Sequence, residues 1–395
     1  MKILLIHHFG GVGGGTNSCL DIASLLVSQG HDVIISIPFP DNSIKKYCAH
    51  NNIVLEAVNK PVPCFTYHNA SCSLFREFLK HLMYRRYLAW WKSHINKINP
   101  DLVMLNSMAQ LPLSSIMKSR KCVCFIRETK KYGGWIGNTI IKNLMTQMSG
   151  LIFLTEFDKK DWAVSSSIKQ FVLPDFVSLN LFNIPNYDVS NLKKSLNIDG
   201  CSKIILYLGG LNYAKGGFDL IDAYKIVRRK CPNTKLIILG NTYDSVLKKR
   251  TNAILRPFLF FSLLKYTRII KNINHNKQDI LLVGPIPDVN IWYYISDIVV
   301  FPVRKVHQAR PVYEAGFYNK PVILPDYANF KESLQDGYNG MFYKKGNVKS
   351  LAQTLIDVLQ SEDKISYGQH NYLMYKAEHS EGYALGRLAN IIEKL

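Results

Sequence analysis

FPVRKVHQARPVYEAGFYNKPVILPDYANFKESLQDGYNG, residues Phe301 to Gly340, sets the architecture of the whole chain. It continues the apolar run Ile298, Val299, Val300, Phe301, which reads as a buried strand. Val303 to Arg310 is a polar turn. Pro311 suits the first turn of a helix, where its missing N–H costs nothing. Glu314 falls in that same turn, Lys320-Pro321 ends the helix, and Val322, Ile323 and Leu324 form the next strand. A carboxylate one turn inside a helix that starts just after a strand faces the mouth of a parallel sheet, where open α/β folds bind ligands. The helix N-terminus adds unpaired N–H groups and the positive end of a dipole, which suits a phosphate. Taken alone, Glu314 fits equally well as a first-turn acid that stabilises the helix dipole.

This stretch resembles the C-terminal half of family-4 glycosyltransferases, retaining enzymes of the GT-B fold. Pro302, Glu314, Ala315, Pro321, Val322, Ile323, Asp326, Glu332, Asp336, Gly337 and Gly340 align with the family pattern without a gap. The family's first glutamate falls on Val306, so only Glu314 of the pair is present, and His307 and Gln308 replace a glycine-aromatic segment. The resemblance implies that Glu314 binds a ribose hydroxyl of a nucleotide-sugar donor, beside Arg310 and Pro311.

The chain has 395 residues, enough for two domains, and 47% of them are hydrophobic. No apolar run is long enough to span a membrane, and MKILLIHHFGG reads as a strand rather than a signal peptide. The eight cysteines are scattered without a C-x-x-C pair. They read as reduced, buried thiols of a cytosolic protein, not as a zinc site or a disulfide frame. A net charge of +20 could serve nucleic acid, an anionic membrane surface or anionic substrates. No nucleic-acid motif accompanies the charge. The reading is therefore no nucleic acid, but an anionic donor and a peripheral position at the inner face of the membrane.

From the N-terminus, the strand Lys2 to Phe9 is followed by a glycine loop, Gly10 to Thr16, a helix from Ser18 to Gln29 and a strand from Val33 to Pro38. This opens a Rossmann-like half. No acidic residue ends the second strand to hold an adenosine ribose, which counts against a dehydrogenase. Ser73 to Ile98 reads as a long helix carrying Arg76, Lys80, Arg85, Arg86 and Lys92 among aromatics. Strands follow at LVMLNS, KCVCFI and Leu151 to Thr155. In the resembling family, Gly13, Gly14 and Gly15 would line the cleft near the acceptor. Arg127 and Glu128 would stand there too, with Arg127 at the place of a family histidine. Asp175 and Phe176 replace an Asn-Gly in the segment Val172 to Val177.

A second Rossmann-like unit starts at Lys203, with a strand, a loop from Leu211 to Gly217, a helix from Phe218 to Lys230 and a strand KLIILG. The family's G-R-L-x-x-x-K-G matches Gly209, Leu211, Lys215 and Gly216, with Gly210 in the place of its arginine. The resemblance makes Gly209, Gly210 and Lys215 donor-binding, leaves Lys215 alone on the diphosphate there, and sets Gly284 before the base pocket. Arg304 or Arg310 could make up the missing charge. Asn241 to Gln278 is a basic and apolar insertion, suited to a membrane surface, a partner or packing on its own domain. Asn347 to Leu359 is an amphipathic helix, and the last thirty or so residues have a helical pattern.

The expected architecture is α/β, GT-B, with two Rossmann-like domains facing across a cleft. Residues 1–184 are the acceptor domain, 185–202 a linker, 203–365 the nucleotide-sugar domain and 366–395 a helical tail returning to the first domain. The expected reaction moves a sugar from a nucleotide-diphosphate sugar to a glycan or lipid-linked acceptor with retention, as in bacterial surface polysaccharide synthesis. Lys215 and Glu314 are the catalytic candidates, and positive groups on the departing phosphate stabilise the transition state. No D-x-D motif occurs, so no metal and no cofactor are expected. Two alternatives stay open: a nucleotide-sugar epimerase of similar fold, and a non-catalytic partner of a transferase, which Val306 and Gly210 favour.

Overall fold

The computed structural model describes every residue except 12, 66–73, 131–133, 179–187, 199–202, 241–278, 287, 307 and 309, and the side chains of 74–85 and 134–136. The basic insertion and His307 therefore lie outside the described residues. The chain divides into two compact units. Met1–Ser178 and Glu378–Leu395 form the first, and Leu179–Ala377 the second.

The first unit is built on β1 (Lys2–Ile6), β2 (Asp32–Pro38), β3 (Val54–Val58), β4 (Leu102–Leu105), β5 (Cys122–Ile126), β6 (Gly150–Phe153) and β7 (Lys169–Val172). They form one sheet in the order β3-β2-β1-β4-β5-β6-β7, with every pair parallel. The central strands, KILLI, LVML and CVCFI, are near-continuous apolar runs because both faces are covered. α1 (Gly14–Ser28) and α2 (Asn42–His50) cover one face through Cys19, Leu25, Leu26 and Ile44. Trp91 and Ile95 of α3 (Leu74–Ile98), and Trp162 of a short helix at Glu156–Trp162, lie against the other. Cys122 and Cys124, both free thiols, point into that second core.

The second unit carries β8 (Lys203–Leu208), β9 (Thr234–Leu239), β10 (Ile280–Val283), β11 (Ile298–Val300), β12 (Val322–Pro325) and β13 (Gly340–Tyr343). Their order is β10-β9-β8-β11-β12-β13, again all parallel. In both sheets the strand order reverses beside the first strand: between β1 and β4, and between β8 and β11. Connections leave in opposite directions there and open a crevice at the carboxyl ends.

Two local expectations shift. The helix after the first glycine loop starts at Gly14, not Ser18. Gly13 is its N-cap, Asn17 N–H donates to Gly13 O at 2.9 Å, and the Thr16 hydroxyl donates to Gly11 O at 2.7 Å. The stretch read as linker contains a short helix, Val189–Ser195, whose first turn is capped by Asp188. Chain end and core also meet: the final helix, Glu381–Lys394, sets Ala384, Leu388 and Ile391 into the core of the first sheet. A π-helical turn, Tyr375–His379, leads into it.

His379 is buried and donates from Nδ1 to Asp175 O at 2.8 Å. Burial pushes its pKa down to about 4. His7, also in this unit, is held well below its ordinary value by burial first and by His8 and Arg127 next. Between pH 6.5 and pH 4 the unfolded chain takes up protons that native His379 refuses, so stability present above about 6.5 is lost on acidification. The loss from His379 alone approaches about 3 kcal/mol by pH 4. Urea midpoints should fall steadily from pH 7.5 to pH 5; equal midpoints would contradict this.

Candidate active site

At the crevice of the second sheet, the loop after β8 carries Gly209, Gly210 and Lys215 and leads into the helix Gly217–Lys230. Two glycines shape it. Gly216 has φ +78°, and a Cβ there would stand 1.7 Å from Pro302 O, so this loop lies directly on the chain leaving β11. Gly210 has φ +61°, a region where a side chain is strained. Gly210 therefore marks a different loop path from one carrying arginine. Tyr207 OH donates to Lys215 O at 2.9 Å, and Asn212 Oδ1 accepts from Lys215 N–H at 3.2 Å. The Lys215 side chain is half-buried, and no acidic partner for its ammonium occurs among the described residues. Burial lowers its pKa, because desolvation disfavours the charged form. A charge held in such a place is costly unless it is paired.

The two arginines that could supplement Lys215 are both occupied. Arg304 Nε donates to Asp219 Oδ2 at 2.5 Å, a second guanidinium nitrogen contacts Asp219 Oδ1, and Nη1 donates to Tyr213 OH. Its guanidinium carbon also stands 4.4 Å from the Tyr213 ring centroid. Arg304 N–H donates to Ala214 O at 3.0 Å. This residue thus clamps the Lys215 loop rather than adding a free charge to it.

Arg310, Pro311 and Glu314 lie in the first turns of the helix Arg310–Phe317 that follows β11. Arg310 Nε donates to Glu314 Oε1 at 2.8 Å, and Tyr293 OH donates to Glu314 Oε2 at 2.5 Å. The ion pair is buried, with side chains 9% and 8% exposed. Glu314 is therefore more than a dipole-stabilising acid: both its oxygens hold protein donors. Gly284 ends β10, two strands away from β8. Lys215 and the Arg310–Glu314 turn are thus carried by adjacent strands, and Gly284 stands apart from them.

In the first unit, Gly13, Gly14 and Gly15 form the start of α1, with no side-chain cap and no acid in the first turn. His7, at the end of β1, lies beneath it. Asn106 Nδ2 approaches His7 Nδ1 at 3.0 Å and donates to Gly15 O at 2.8 Å. His7 Nδ1 is therefore the acceptor, and Nε2–H donates to Thr16 Oγ1 at 3.1 Å. Arg127 Nε donates to Asn106 O at 2.9 Å. Glu128 accepts from the Ser107 hydroxyl, from Arg127 N–H at 3.1 Å and from Met108 N–H at 3.3 Å. Burial raises its pKa despite these donors.

Two departures from the family pattern meet here. Arg127 Nη1 binds Asp175 Oδ1 at 2.6 Å, with side chains 10% and 12% exposed. Each charge accounts for the other, since either alone would be buried uncompensated. Arg127→Met and Asp175→Asn are each expected to cost about 3 kcal/mol, and the double variant less than their sum by about 2 kcal/mol. Additive losses in urea unfolding would show that the contact carries no energy.

Sequence reading missed Asn106, Thr16, Asp219 and Tyr293. His7 had a signal, standing at the carboxyl end of a central strand; Thr16 pairs with it across the glycine loop, and Asn106, Asp219 and Tyr293 pair with residues distant in the chain.

Residues 188–377 match the family Glycosyl transferases group 1. That match covers most of the second unit, Leu179–Ala377. CapM of Staphylococcus aureus, a capsular polysaccharide biosynthesis glycosyltransferase, is 22% identical over 168 residues, 42% of this chain and 40% of the relative. A lipopolysaccharide 1,2-N-acetylglucosaminetransferase of Salmonella typhimurium is 29% identical over 153 residues, 38% of this chain and 37% of the relative. The chain thus spans about 40% of the length of the curated relatives it matches. The crystal structure of Anabaena HepE with UDP-glucose matches with a TM-score of 0.77 at 16% identity, covering 100% of both chains. The fold is GT-B. Lys215, Arg310 and Glu314 all lie inside the group 1 domain, whereas Gly13, Arg127 and Glu128 lie outside the matched residues.

Proposed function

We propose that this protein is a glycosyltransferase that moves a sugar from a nucleotide-diphosphate sugar to a glycan or lipid-linked acceptor, with retention, in surface polysaccharide synthesis. The observation that carries the reading is Lys215: a half-buried ammonium without an acidic partner among the described residues, at the carboxyl end of β8 in a group 1 domain. HepE was crystallised with UDP and with UDP-glucose, and CapM acts in capsule synthesis, which supports the donor and product classes.

In this mechanism Lys215 receives the charge that develops on the departing phosphate. The starts of the helices Gly217–Lys230 and Arg310–Phe317 add backbone N–H groups. Glu314, steadied by Arg310 and Tyr293, keeps further lone pairs for a ribose hydroxyl. The leaving phosphate oxygen takes the acceptor proton. The sequence has no D-x-D motif, so the reaction is expected to proceed without a metal. Transfer and hydrolysis assays with UDP-, GDP- and TDP-sugars test the reading. Activity with none of them would leave a non-catalytic partner of a transferase, which the pairing of Arg304 and Arg310 favours as the second reading.

The net charge of +20 supports a peripheral position on an anionic, cytoplasmic membrane surface. No helix among the described residues is long and apolar enough to cross a membrane. Vesicles containing phosphatidylglycerol should sediment the protein at low salt and release it at high salt. Replacing Arg85 and Arg86 with Glu should weaken this more than replacing Lys248 and Lys249. Absence of binding at low salt would favour a soluble acceptor.

A further inference from the structure

The carboxyl edge of the first sheet displays a residue whose backbone and side chain are both unfavourable. Phe39, just after β2, has φ +47° and is 69% exposed. Positive φ is costly for a bulky residue, and the following Pro40 narrows its conformations further. An exposed phenyl ring contributes no burial in return. Strain of this kind collects at binding sites, where what it presents is used.

A second exposed phenylalanine lies on the neighbouring segment. Phe9, just after β1, is 54% exposed. These are the two exposed phenylalanines among the described residues. Their segments touch through the glycine loop. A Cβ on Gly10 would lie 2.3 Å from Phe39 O, and one on Gly11 would lie 2.8 Å from the Phe9 ring. Asp41 N–H donates to Gly10 O at 2.9 Å, which ties the chain after Phe39 to the same loop. The uncapped start of α1 follows directly.

We propose that Phe9 and Phe39 form a pyranose-binding platform, a subsite for the terminal sugar of the acceptor; it rests on the transferase reading above for its role, though not for its existence. A pyranose has one face of C–H bonds, and an aromatic face attracts such electropositive edges. Its hydroxyls need hydrogen-bonding groups at the rim. The surroundings supply them: exposed Asn42 and the backbone of a loop almost without side chains. An alkyl chain would instead need a continuous apolar groove, which glycine backbone and Asp41-Asn42 interrupt.

The test uses the full chain labelled with 4-fluorophenylalanine, the fluorine resonances of positions 9 and 39 being assigned through Phe9→Leu and Phe39→Gly. Methyl glycosides of glucose, galactose, N-acetylglucosamine and rhamnose, then UDP, then phosphatidylglycerol vesicles, are titrated in turn. Both resonances should shift with at least one glycoside and stay in place with UDP. Phe39→Gly should weaken that glycoside's binding about tenfold, a loss typical of one aromatic contact. Its melting temperature should hold or rise, since glycine takes φ +47° freely. Resonances silent to every glycoside, or moved by vesicles alone, would overturn the platform. Shifts without sugar transfer would refute the transferase reading and leave the site standing; transfer with silent resonances would do the reverse.

Discussion

Lys215→Met should lower kcat at least about a hundredfold, the usual consequence of removing one charged group from a transition state that develops negative charge. The size of the effect follows from the isolation of this charge. Lys215 has no acidic partner among the described residues, burial already lowers its pKa, and Arg304 beside it is bound to Asp219. Arg310, on the neighbouring helix start, is likewise paired, with Glu314. Methionine keeps most of the length and apolar stem and removes the desolvation penalty. The variant should therefore melt no lower than the parent protein while binding the nucleotide at least about tenfold more weakly. Calorimetric titration with UDP and a thermal melt decide it. Unchanged affinity would remove Lys215 from the site; a lower melting temperature would show a structural partner.

Glu314→Gln should act on folding as well as on binding. Glu314 pairs with Arg310 and Tyr293 in a buried cluster, so a neutral side chain leaves the Arg310 charge without its counter-charge. Breaking such a pair costs about 3–5 kcal/mol. Loss of donor affinity in this single variant would be ambiguous. Adding Arg310→Met removes the stranded charge and should restore most of the stability. If donor affinity stays low in the restored double variant, Glu314 contacts the donor. If affinity returns with stability, its part is to hold the helix start. A single variant that loses less than about 1 kcal/mol would contradict the buried-pair argument itself.

Much of the architecture was legible locally. Strand runs such as KILLI and CVCFI, each ending in a glycine loop or a polar turn, can only be buried on both faces, and that is a parallel sheet with helices on either side. The Arg310–Glu314 contact was within reach too, because an i,i+4 spacing on a helix brings side chains together. The starting point of α1 was not, because successive glycines carry no helix signal. The fate of the charges was also hidden. Arg304 meets Asp219, Arg127 meets Asp175 and Tyr293 meets Glu314 only once the sheets assemble. Local spacing supplies helix and strand periods but says nothing of which carboxylate a distant guanidinium will find. The sequence alone therefore determined two parallel α/β sheets and the loops at their carboxyl edges. Tertiary structure decided that Arg304, Arg310 and Arg127 in those loops find carboxylates, because pairing is a matter of distance in space.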